Sequence, residues 1–539
     1  MRRFFVAALA ISATALATSD TASLKAQPRS GTDDQAITHL LNRTGWGPRP
    51  GDVDTVRAMG IARYLDQQLH PERIPDAAMP GRLAGLATVG LSSRQILDNY
   101  ERPQIEARRQ RKADAQAGEP GSADQKPPDP VQRKANSIVV ELSEQKLLRA
   151  VYSERQLQEA LADFWFNHFN VDARKGRDRF MLTEYERDTI RPRVLGNFRD
   201  LLGATAKSPA MLFYLDNWMS ADPGTGLSAR TRRDLARPGL GPQARRDLSP
   251  GLPERFAPRL QPERKNAPKG LNENYGRELM ELHTLGVDGG YTQKDVTEVA
   301  RAFTGWTIEN PRRGAGFKFD PRIHDNGQKV VLGHVLKAGG GESDGEQVLD
   351  ILVAHPSTAR FIATKLVRRF VSDAPPPALV DRAAARFRQT GGDLREVTRT
   401  ILTSPEFLSP DAYRAKVKTP FEFLVSALRA AGADVQDAQP LVRELQQEGM
   451  PLYMCQPPTG YKDTADAWVN TGALVNRMNF ALRLASNQLP RTMVGDLTTL
   501  NGSIFDGAVS DTTRSTIAKA TSIQQTAALT LGAPEFQRR

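Results

Sequence analysis

The chain has 539 residues, of which 39% are hydrophobic and 25% are charged, so most of it is expected to be globular. Its length excludes a small fold that depends on disulfides, because a chain of this size can bury a large core. Its one cysteine, Cys455, excludes an intramolecular disulfide. The formal net charge of +11 favours anionic partners, such as acidic polysaccharides, envelope phosphates or nucleic acids.

The first predicted element is a targeting signal over residues 1–26. Arg2 and Arg3 precede an apolar stretch, residues 4–17, that is too short to span a bilayer comfortably, and small residues follow it. This pattern predicts a cleaved signal peptide, a mature protein without a transmembrane segment, and a periplasmic or extracellular location. The alternative is an N-terminal core helix.

The remainder, residues 27–539, is predicted to form a single domain that is mainly α. Apolar residues recur at spacings of three and four in segments such as 138–169 and 356–371, which is typical of amphipathic helices. Residues 102–135 and 221–270 are rich in charge, proline and glycine, so they bury little apolar surface and are predicted to be disordered insertions.

One β-hairpin is predicted within residues 317–333, with Asn326-Gly327 as its tight turn. The predicted fold class is therefore a mainly α, multi-helix globular domain with one short β-hairpin and two long flexible insertions.

Polar side chains are concentrated in residues 272–296, which read NENYGRELMELHTLGVDGGYTQKDV. The spacing predicts two helices joined by a Gly-rich turn, with Glu278 and Glu281 on the acidic edge of the first and Asp295 and Arg301 on the second. A short turn favours antiparallel packing, in which the two polar edges can face each other. Crowded carboxylates and arginines shift their pKa values apart, as general acid and base catalysis requires. The alternative is a structural helix pair, in which caps and ion pairs account for the same residues.

Other polar residues interrupt apolar motifs elsewhere in the chain. Asn167-His168 lies within FWFNHF, Asp216 follows MLFYL, and His324 and Lys329 lie in the predicted hairpin. Buried polar groups need hydrogen-bond partners, so these side chains either satisfy one another or converge on a site.

Several motifs together resemble the bacterial family known as "domain of unknown function 1800". The resemblance rests on HLLNRTGWGP (39–48), FWFNHFNV (164–171), the segment 271–306, HPSTARFIATKLVRRFV (355–371) and PPTGYKD (457–463). It implies an exported, mostly helical bacterial protein. Such proteins are often encoded beside a secreted family similar to sulfatases and phosphatases, which implies work on envelope or extracellular polymers.

The leading hypothesis is an exported hydrolase or lyase that acts on an anionic envelope or extracellular polysaccharide through carboxylate acid and base catalysis. The alternative is a non-catalytic envelope scaffold or a binding partner of a secreted sulfatase-like protein. Nucleic-acid binding is disfavoured, because the chain is predicted to be exported and carries no recognition motif. The candidate catalytic residues are Glu278, Glu281, Asp295, His168 and His324, and the candidate substrate-binding residues are Arg277, Arg301, Asn274, Asn167, Asp216, Trp306 and Lys329.

No cofactor is predicted, since the sequence contains no phosphate-binding loop, dinucleotide fingerprint or serine elbow. A divalent metal stays open as an alternative, because the chain supplies ligand types without the spacing of a known metal motif. Those ligand types belong to His168, His283, His324, Glu278 and Glu281.

Overall fold

The computed structural model describes residues 30–116, 130–225, 270–310, 316–498, 500, 504 and 509–539. The predicted signal peptide, residues 1–26, and most of the predicted insertion at 221–270 lie outside the described residues.

The described residues are mainly helical, as predicted, and the helices of the first half precede a group of short strands. Two stretches, Leu97–Glu101 and Tyr185–Ile190, are π-helical. The helices of this half are α1 (Ser30–Thr44), α2 (Asp52–Met59), α3 (Ile61–Leu69), α4 (Met79–Leu83), α5 (Ser93–Ile96), α6 (Arg102–Gln116), α7 (Pro130–Tyr152), α8 (Gln156–His168), α9 (Leu182–Glu184), α10 (Phe198–Ala206), α11 (Pro209–Tyr214), α12 (Glu273–Glu281) and α13 (Gln293–Ala302).

The second half is again helical. Its helices are α14 (Glu342–Ala354), α15 (Pro356–Phe370), α16 (Pro377–Gln389), α17 (Leu394–Leu402), α18 (Pro420–Ala430), α19 (Gln439–Gln447), α20 (Thr471–Ala485), α21 (Asp511–Ile517) and α22 (Ile523–Gly532). Helix α18 is buried along its whole length, and α15 packs against α16. The main core contains residues from nearly all of these helices.

The strands form three two-stranded antiparallel sheets. Strand β1 (Trp306–Ile308) pairs with β2 (Phe317–Phe319), β3 (Lys329–Val331) with β4 (His334–Leu336), and β5 (Asp434–Val435) with β6 (Thr492–Met493).

The predicted hairpin is therefore wrong in its pairing, because β2 and β3 do not pair with each other. The tight turn lies at Leu332-Gly333, where both residues have positive φ angles, 50° and 81°, as a two-residue primed turn requires. Asn326-Gly327 belongs to a loop in which the Gly327 amide donates to Asp325 Oδ1 at 2.8 Å.

The predicted insertion at 102–135 also differs from the structure. Residues 102–116 are helical in α6, and residues 130–135 form the first turns of α7. Only residues 117–129 of that prediction lie outside the described part of the chain. Among the described residues, no helix is both long and apolar enough to span a bilayer.

Candidate active site

A cavity of about 300 Å³ opens between α8, α15, the start of α18 and the segment 450–464. Three sequence motifs meet there: FWFNHFNV, HPSTARFIATKLVRRFV and PPTGYKD. These motifs are separated by more than a hundred residues in places, so tertiary packing brings their polar side chains together.

The end of α8 holds the segment 450–464 through two asparagine side chains. Asn167 Nδ2 donates to the carbonyl oxygen of Tyr461 at 2.8 Å, and its Oδ1 accepts from the amide of the same residue at 2.7 Å. Asn170 Nδ2 donates to the carbonyl oxygens of Cys455 and Pro457, each at 2.9 Å. Asn167, a predicted substrate-binding residue, therefore uses both ends of its amide to fix the cavity wall.

Helix α15 carries the cationic side of the cavity. It begins at Pro356, a residue well suited to the first helical turn. Lys365, Arg368 and Arg369 are spaced by three and four residues, so they share one side of the helix and line the cavity together. Arg369 is only 4% exposed and donates from Nη1 to Glu422, whereas its Nε and Nη2 have no hydrogen-bond partner among the described residues.

Lys365 and His168 form the most distinctive contact in the cavity. Lys365 Nζ donates to His168 Nδ1 at 2.8 Å, and His168 Nε2 lies 3.1 Å from the carbonyl oxygen of His283. This network assigns the proton of the imidazole to Nε2. Burial and the charge of Lys365 lower the pKa of His168 well below its usual range, so the imidazole is neutral. Burial, reinforced by Arg368 and opposed by Asp463, lowers the pKa of Lys365 to about 8.

Two further side chains on the wall are less suited to proton transfer or nucleophilic attack near neutral pH. Burial raises the pKa of the Cys455 thiol to about 12. Burial also raises the pKa of Tyr461, whose hydroxyl donates to the carbonyl oxygen of Pro451 at 2.7 Å. Lys365, held by His168, is therefore a group in this cavity whose protonation changes close to neutral pH.

Comparison with known proteins identifies the family of the chain. Residues 39–538 match the family described as "Protein of unknown function (DUF1800)", which is nearly the whole sequence. The chain belongs to the DUF1800 family. No curated protein and no solved structure matches it. The family assignment confirms the resemblance seen in the motifs and assigns no activity.

The central motif of this DUF1800 chain lies beside the cavity and does not line it. Helices α12 and α13 are antiparallel as predicted, because Glu273 contacts Thr297, Arg277 contacts Gln293 and Glu281 contacts Tyr291. The motif reaches the cavity only indirectly, through the backbone carbonyl that fixes the imidazole at the end of α8.

Glu278 and Glu281 are partly buried on α12, outside the cavity lining. Burial and the charge of Glu281 raise the pKa of Glu278 to about 7, although Arg277 acts in the opposite direction. Glu281 Oε2 accepts a hydrogen bond from the Tyr291 hydroxyl at 2.9 Å. Glu278 therefore has the perturbed pKa expected of an acid or base, with Glu281 one turn away, but neither side chain lines the cavity.

Asp295 caps α13. Its Oδ2 accepts from the amide of Thr292 at 2.9 Å and from the hydroxyl at 2.6 Å, and its Oδ1 accepts from the amide of Leu332 at 2.8 Å. Arg301 is held by carboxylates on both sides, with Glu298 Oε1 at 2.9 Å and Asp325 Oδ2 at 2.7 Å. Both predicted site residues thus have structural partners that occupy their polar atoms.

His324 and Lys329 belong to a buried network around Asp344. Lys329 Nζ lies 2.7 Å from Asp344 Oδ2 and His324 Nε2 lies 3.2 Å from the same oxygen, and all three side chains are fully buried. Trp306 is also fully buried, and a Cβ added to Gly345 would stand 2.4 Å from its ring. The prediction that Trp306 binds substrate is therefore wrong for this structure, because its ring is packed inside the core.

The other predicted binding residues lie on the surface or contact neighbours. Asn274 is exposed, and the cap of α12 is Asn272, whose side chain accepts from the Tyr275 amide at 3.2 Å. Asp216 pairs with Lys175 at 3.0 Å. None of these residues lines the cavity. Of the predicted catalytic and binding residues, the structure brings only His168 and Asn167 to it.

The described residues contain no group of three or more His, Cys, Asp or Glu side chains placed to hold a metal ion. The candidate ligands from the sequence are dispersed: His168 lies in the cavity wall, His324 in the buried network around Asp344, and Glu278 on α12.

The sequence reasoning missed Lys365, Arg368 and Arg369. A signal was present, because these three cations lie side by side on a helix whose other buried residues are mainly apolar. The cavity that these three side chains line is closed by the segment 450–464, whose sequence has no helical or strand periodicity. That contact could not be read from the local sequence.

Proposed function

We propose that the protein is an exported enzyme that cleaves an envelope or extracellular polysaccharide by acid and base catalysis in the cavity. The observation that carries this proposal is Lys365 Nζ at 2.8 Å from Nδ1 of a buried His168, inside a cavity of about 300 Å³. A lysine whose pKa approaches neutrality can hold either the neutral or the charged form at little free-energy cost, which suits a group that accepts and returns a proton.

In this proposal His168 is a positioning residue. Its hydrogen bond from Nε2 to the His283 carbonyl oxygen fixes the ring, so Nδ1 accepts one N–H of Lys365. The lone pair of the neutral amine then points away from the imidazole and is free to accept a proton from substrate. This arrangement replaces the carboxylate pair of the sequence hypothesis with a lysine as the acid and base.

The polymer substrate and the location outside the cytoplasm rest on the sequence. Residues 1–26 have the pattern of a signal peptide, and the family resemblance implies a genomic neighbourhood that includes secreted sulfatase-like proteins. The excess of positive charge favours an anionic polymer.

The proposal is tested with Lys365→Met in the full chain, with release of new reducing ends as the assay. Both hydrolysis and elimination create a reducing end, so the assay detects either reaction on a panel of neutral and acidic polysaccharides. We expect the wild type to release reducing ends from at least one polymer and Lys365→Met to lose at least a hundredfold in kcat, since general base catalysis contributes about 10²–10⁴-fold. Lys337→Met is the matched control, because Lys337 is exposed and lies outside the cavity.

The pH profile gives an independent check. If neutral Lys365 is the base, kcat/KM rises with pH and reaches half its maximum near the pKa of about 8, because only the deprotonated amine can accept a proton. Burial sets this value, and the charges of Asp463 and Arg368 raise and lower it, respectively. Full activity of Lys365→Met, or a profile that falls between pH 7 and pH 9, would remove Lys365 from the mechanism.

The second candidate is a non-catalytic scaffold or a partner of a secreted sulfatase-like protein. The observation that favours it is the paired network of Glu298, Arg301 and Asp325, in which the polar edge of the central motif is satisfied by protein groups. Under this alternative the wild type releases no reducing ends from any polymer, and it co-purifies with the sulfatase-like protein when both are expressed together.

A further inference from the structure

The cavity carries more positive than negative charge. Five cationic and three acidic side chains line it among the described residues. Each acid already has a cationic partner: Asp163 lies 2.5 Å from Lys146, Glu422 lies 2.9 Å from Arg539, and Asp463 lies 3.3 Å from Lys416. The acids are therefore neutralised within the protein, and the surplus is cationic.

Two of the lining cations have no such partner. Among the described residues, no carboxylate oxygen lies within 4.0 Å of Lys365 Nζ or of the guanidinium of Arg368. Arg368 is partly buried, and its Nε has no hydrogen-bond partner in the described part of the chain. Beside it, Arg369 is 4% exposed with Nε and Nη2 unpartnered. Unpaired cations in a concave, partly buried site cost free energy, because they lose part of their hydration, unless an anion binds there.

A planar guanidinium presents paired N–H groups that match the two oxygens of a carboxylate. A sugar carboxylate bound in this way has a further consequence, because neutralising its charge makes the C–H bond on the adjacent ring carbon easier to deprotonate. Lys365 lies one helical turn from Arg368, on the same side of α15. A sulfate or phosphate ester would satisfy the guanidinium equally well but would not activate a C–H bond for this base.

We infer that the substrate is a uronic acid polymer, whose carboxylate binds to Arg368 and whose chain is cut by β-elimination with Lys365 as the base. This inference rests on the proposed function and narrows it to a lyase.

The elimination balances without a co-reactant. Neutral Lys365 Nζ accepts the proton from the ring carbon next to the carboxylate, and the electron pair of that C–H bond forms a C=C bond to the neighbouring ring carbon. The C–O bond from that neighbour to the leaving sugar breaks, and its electron pair stays on the oxygen. The ammonium of Lys365 then gives its proton to this oxygen, so the lysine ends as it began. The products are an unsaturated uronate and a sugar hydroxyl.

The experiment uses the full chain and hexamers of galacturonate, mannuronate and glucuronate. Their carboxyl-reduced, neutral counterparts and a sulfated galactan hexamer serve as comparison ligands. Binding is measured by calorimetry at low and high salt, and elimination by the ultraviolet absorbance of a C=C bond conjugated to a carboxylate. The variants are Arg368→Gln, Arg368→Lys, Lys365→Met and, as a matched control, Arg360→Gln. Arg360 lies on the same helix and is paired with Asp381 on the surface, where both side chains are 61% exposed.

We expect at least one uronate hexamer to bind and to yield the ultraviolet product, with no binding of its neutral counterpart. Arg368→Gln should weaken binding by about ten- to a hundredfold, as expected for the loss of hydrogen bonds between charged groups. Arg368→Lys should recover only part of the affinity, because an ammonium cannot bind a carboxylate through a planar fork. Arg360→Gln should match the wild type, and higher salt should weaken binding.

The outcomes separate this inference from the proposed function. Binding of a uronate that requires Arg368, with no product of any kind, supports the carboxylate site and contradicts the enzyme. Release of reducing ends without ultraviolet product, with Arg368→Gln fully active, supports the enzyme and overturns the inference. Failure of all three uronates to bind, or equal binding of the sulfated hexamer with no ultraviolet product from any uronate, overturns the inference as well.

Discussion

Burial and a neighbouring charge act in the same direction on Glu278. The side chain is partly buried on α12, and Glu281 lies one turn away, so the ionised form of Glu278 is disfavoured twice. The charge of Arg277 offsets only part of the rise in the pKa of Glu278, because the Arg277 side chain donates to Gln293 at 2.7 Å on the neighbouring helix. The pKa of about 7 has a plain physical origin and does not by itself establish catalysis.

Glu278→Gln should therefore stabilise the protein in alkaline solution and leave it unchanged in acid. The folded-state pKa of about 7 lies above the ordinary value of 4.5. The folded protein therefore binds more protons than the unfolded chain between these pH values, and the contribution of Glu278 to stability is lost as pH rises through this window. We expect Gln to raise the free energy of unfolding by roughly 1–2 kcal/mol at pH 8, discounted for partial exposure, and by nearly nothing at pH 4.5.

The measurement is the melting temperature of wild type and Glu278→Gln across this pH range. Glu309→Gln is the control, since Glu309 is exposed and its replacement should change little at either pH. A Glu278→Gln variant that melts below the wild type at pH 8 would mean that the carboxylate makes a stabilising contact.

Asn167 illustrates what residue types alone can and cannot predict. Its position inside FWFNHF predicts an amide with hydrogen-bond partners, and the structure shows a half-buried side chain that has them. The identity of those partners depends on Tyr461, almost three hundred residues away, so the sequence could not distinguish a substrate contact from a backbone contact. The same limit applies to Asp295 and Arg301, whose partners lie partly in the loop and strands after α13.

At the scale of elements, helices were predictable because their signal is local. Thr292 caps α13 as its spacing predicts, and the apolar face of α15 follows the period of 3.6 residues. Strand pairing was less predictable, because Asn326-Gly327 has the composition of a primed turn while the turn itself forms at Leu332-Gly333. Local turn preference was overridden there by the contacts of Asp325 and Lys329.

The loop that closes the cavity depends on one close approach between backbones. Gly460 has a φ angle of 74°, and a Cβ added to it would stand 2.2 Å from the Asn167 carbonyl oxygen and 2.5 Å from its Oδ1. Gly460→Ala should push residues 457–464 away from α8 and break both hydrogen bonds between Asn167 and Tyr461. We expect a loss of about 2–4 kcal/mol in stability and weaker ligand binding in the cavity, from strain and lost hydrogen bonds.

Gly449→Ala is the matched control for this prediction. Gly449 has a similar φ angle, 84°, but an added Cβ would meet nothing within 4 Å. The two variants therefore share the backbone strain of a left-handed residue and differ in the clash. Equal melting temperatures and equal ligand affinities for the two variants would show that the contact with Asn167 does not hold the loop in place.

At the scale of the whole molecule, a buried cluster of charges joins segments from both ends of the chain. Arg539 Nη2 lies 2.9 Å from Glu422 Oε1, and Arg539 Nη1 donates to the carbonyl oxygen of Arg369 at 3.2 Å. Arg43 on α1 donates to the carbonyl oxygen of Ala412 at 2.6 Å, and burial together with the charge of Arg539 lowers its pKa. Three distant segments thus place buried cations near the start of α18.

Glu422→Gln should destabilise the whole fold through this cluster. The carboxylate is 4% exposed and compensates Arg369 and Arg539, so its removal leaves buried cations unpaired. Glutamine can still serve the capping box with Thr419, because the amide oxygen accepts the same hydrogen bond, so the change isolates the charge. Breaking a buried ion pair in this way costs about 3–5 kcal/mol, and we expect the melting temperature to fall by several degrees.

Glu406→Gln is the control. It removes a surface ion pair with Arg382, whose side chain is 47% exposed, and should cost less than about 1 kcal/mol of stability. Because Arg369 also lines the cavity, the destabilised variant should recover some stability when an anionic ligand binds there. A melting temperature equal to that of Glu406→Gln would show that Glu422 does not hold these segments together.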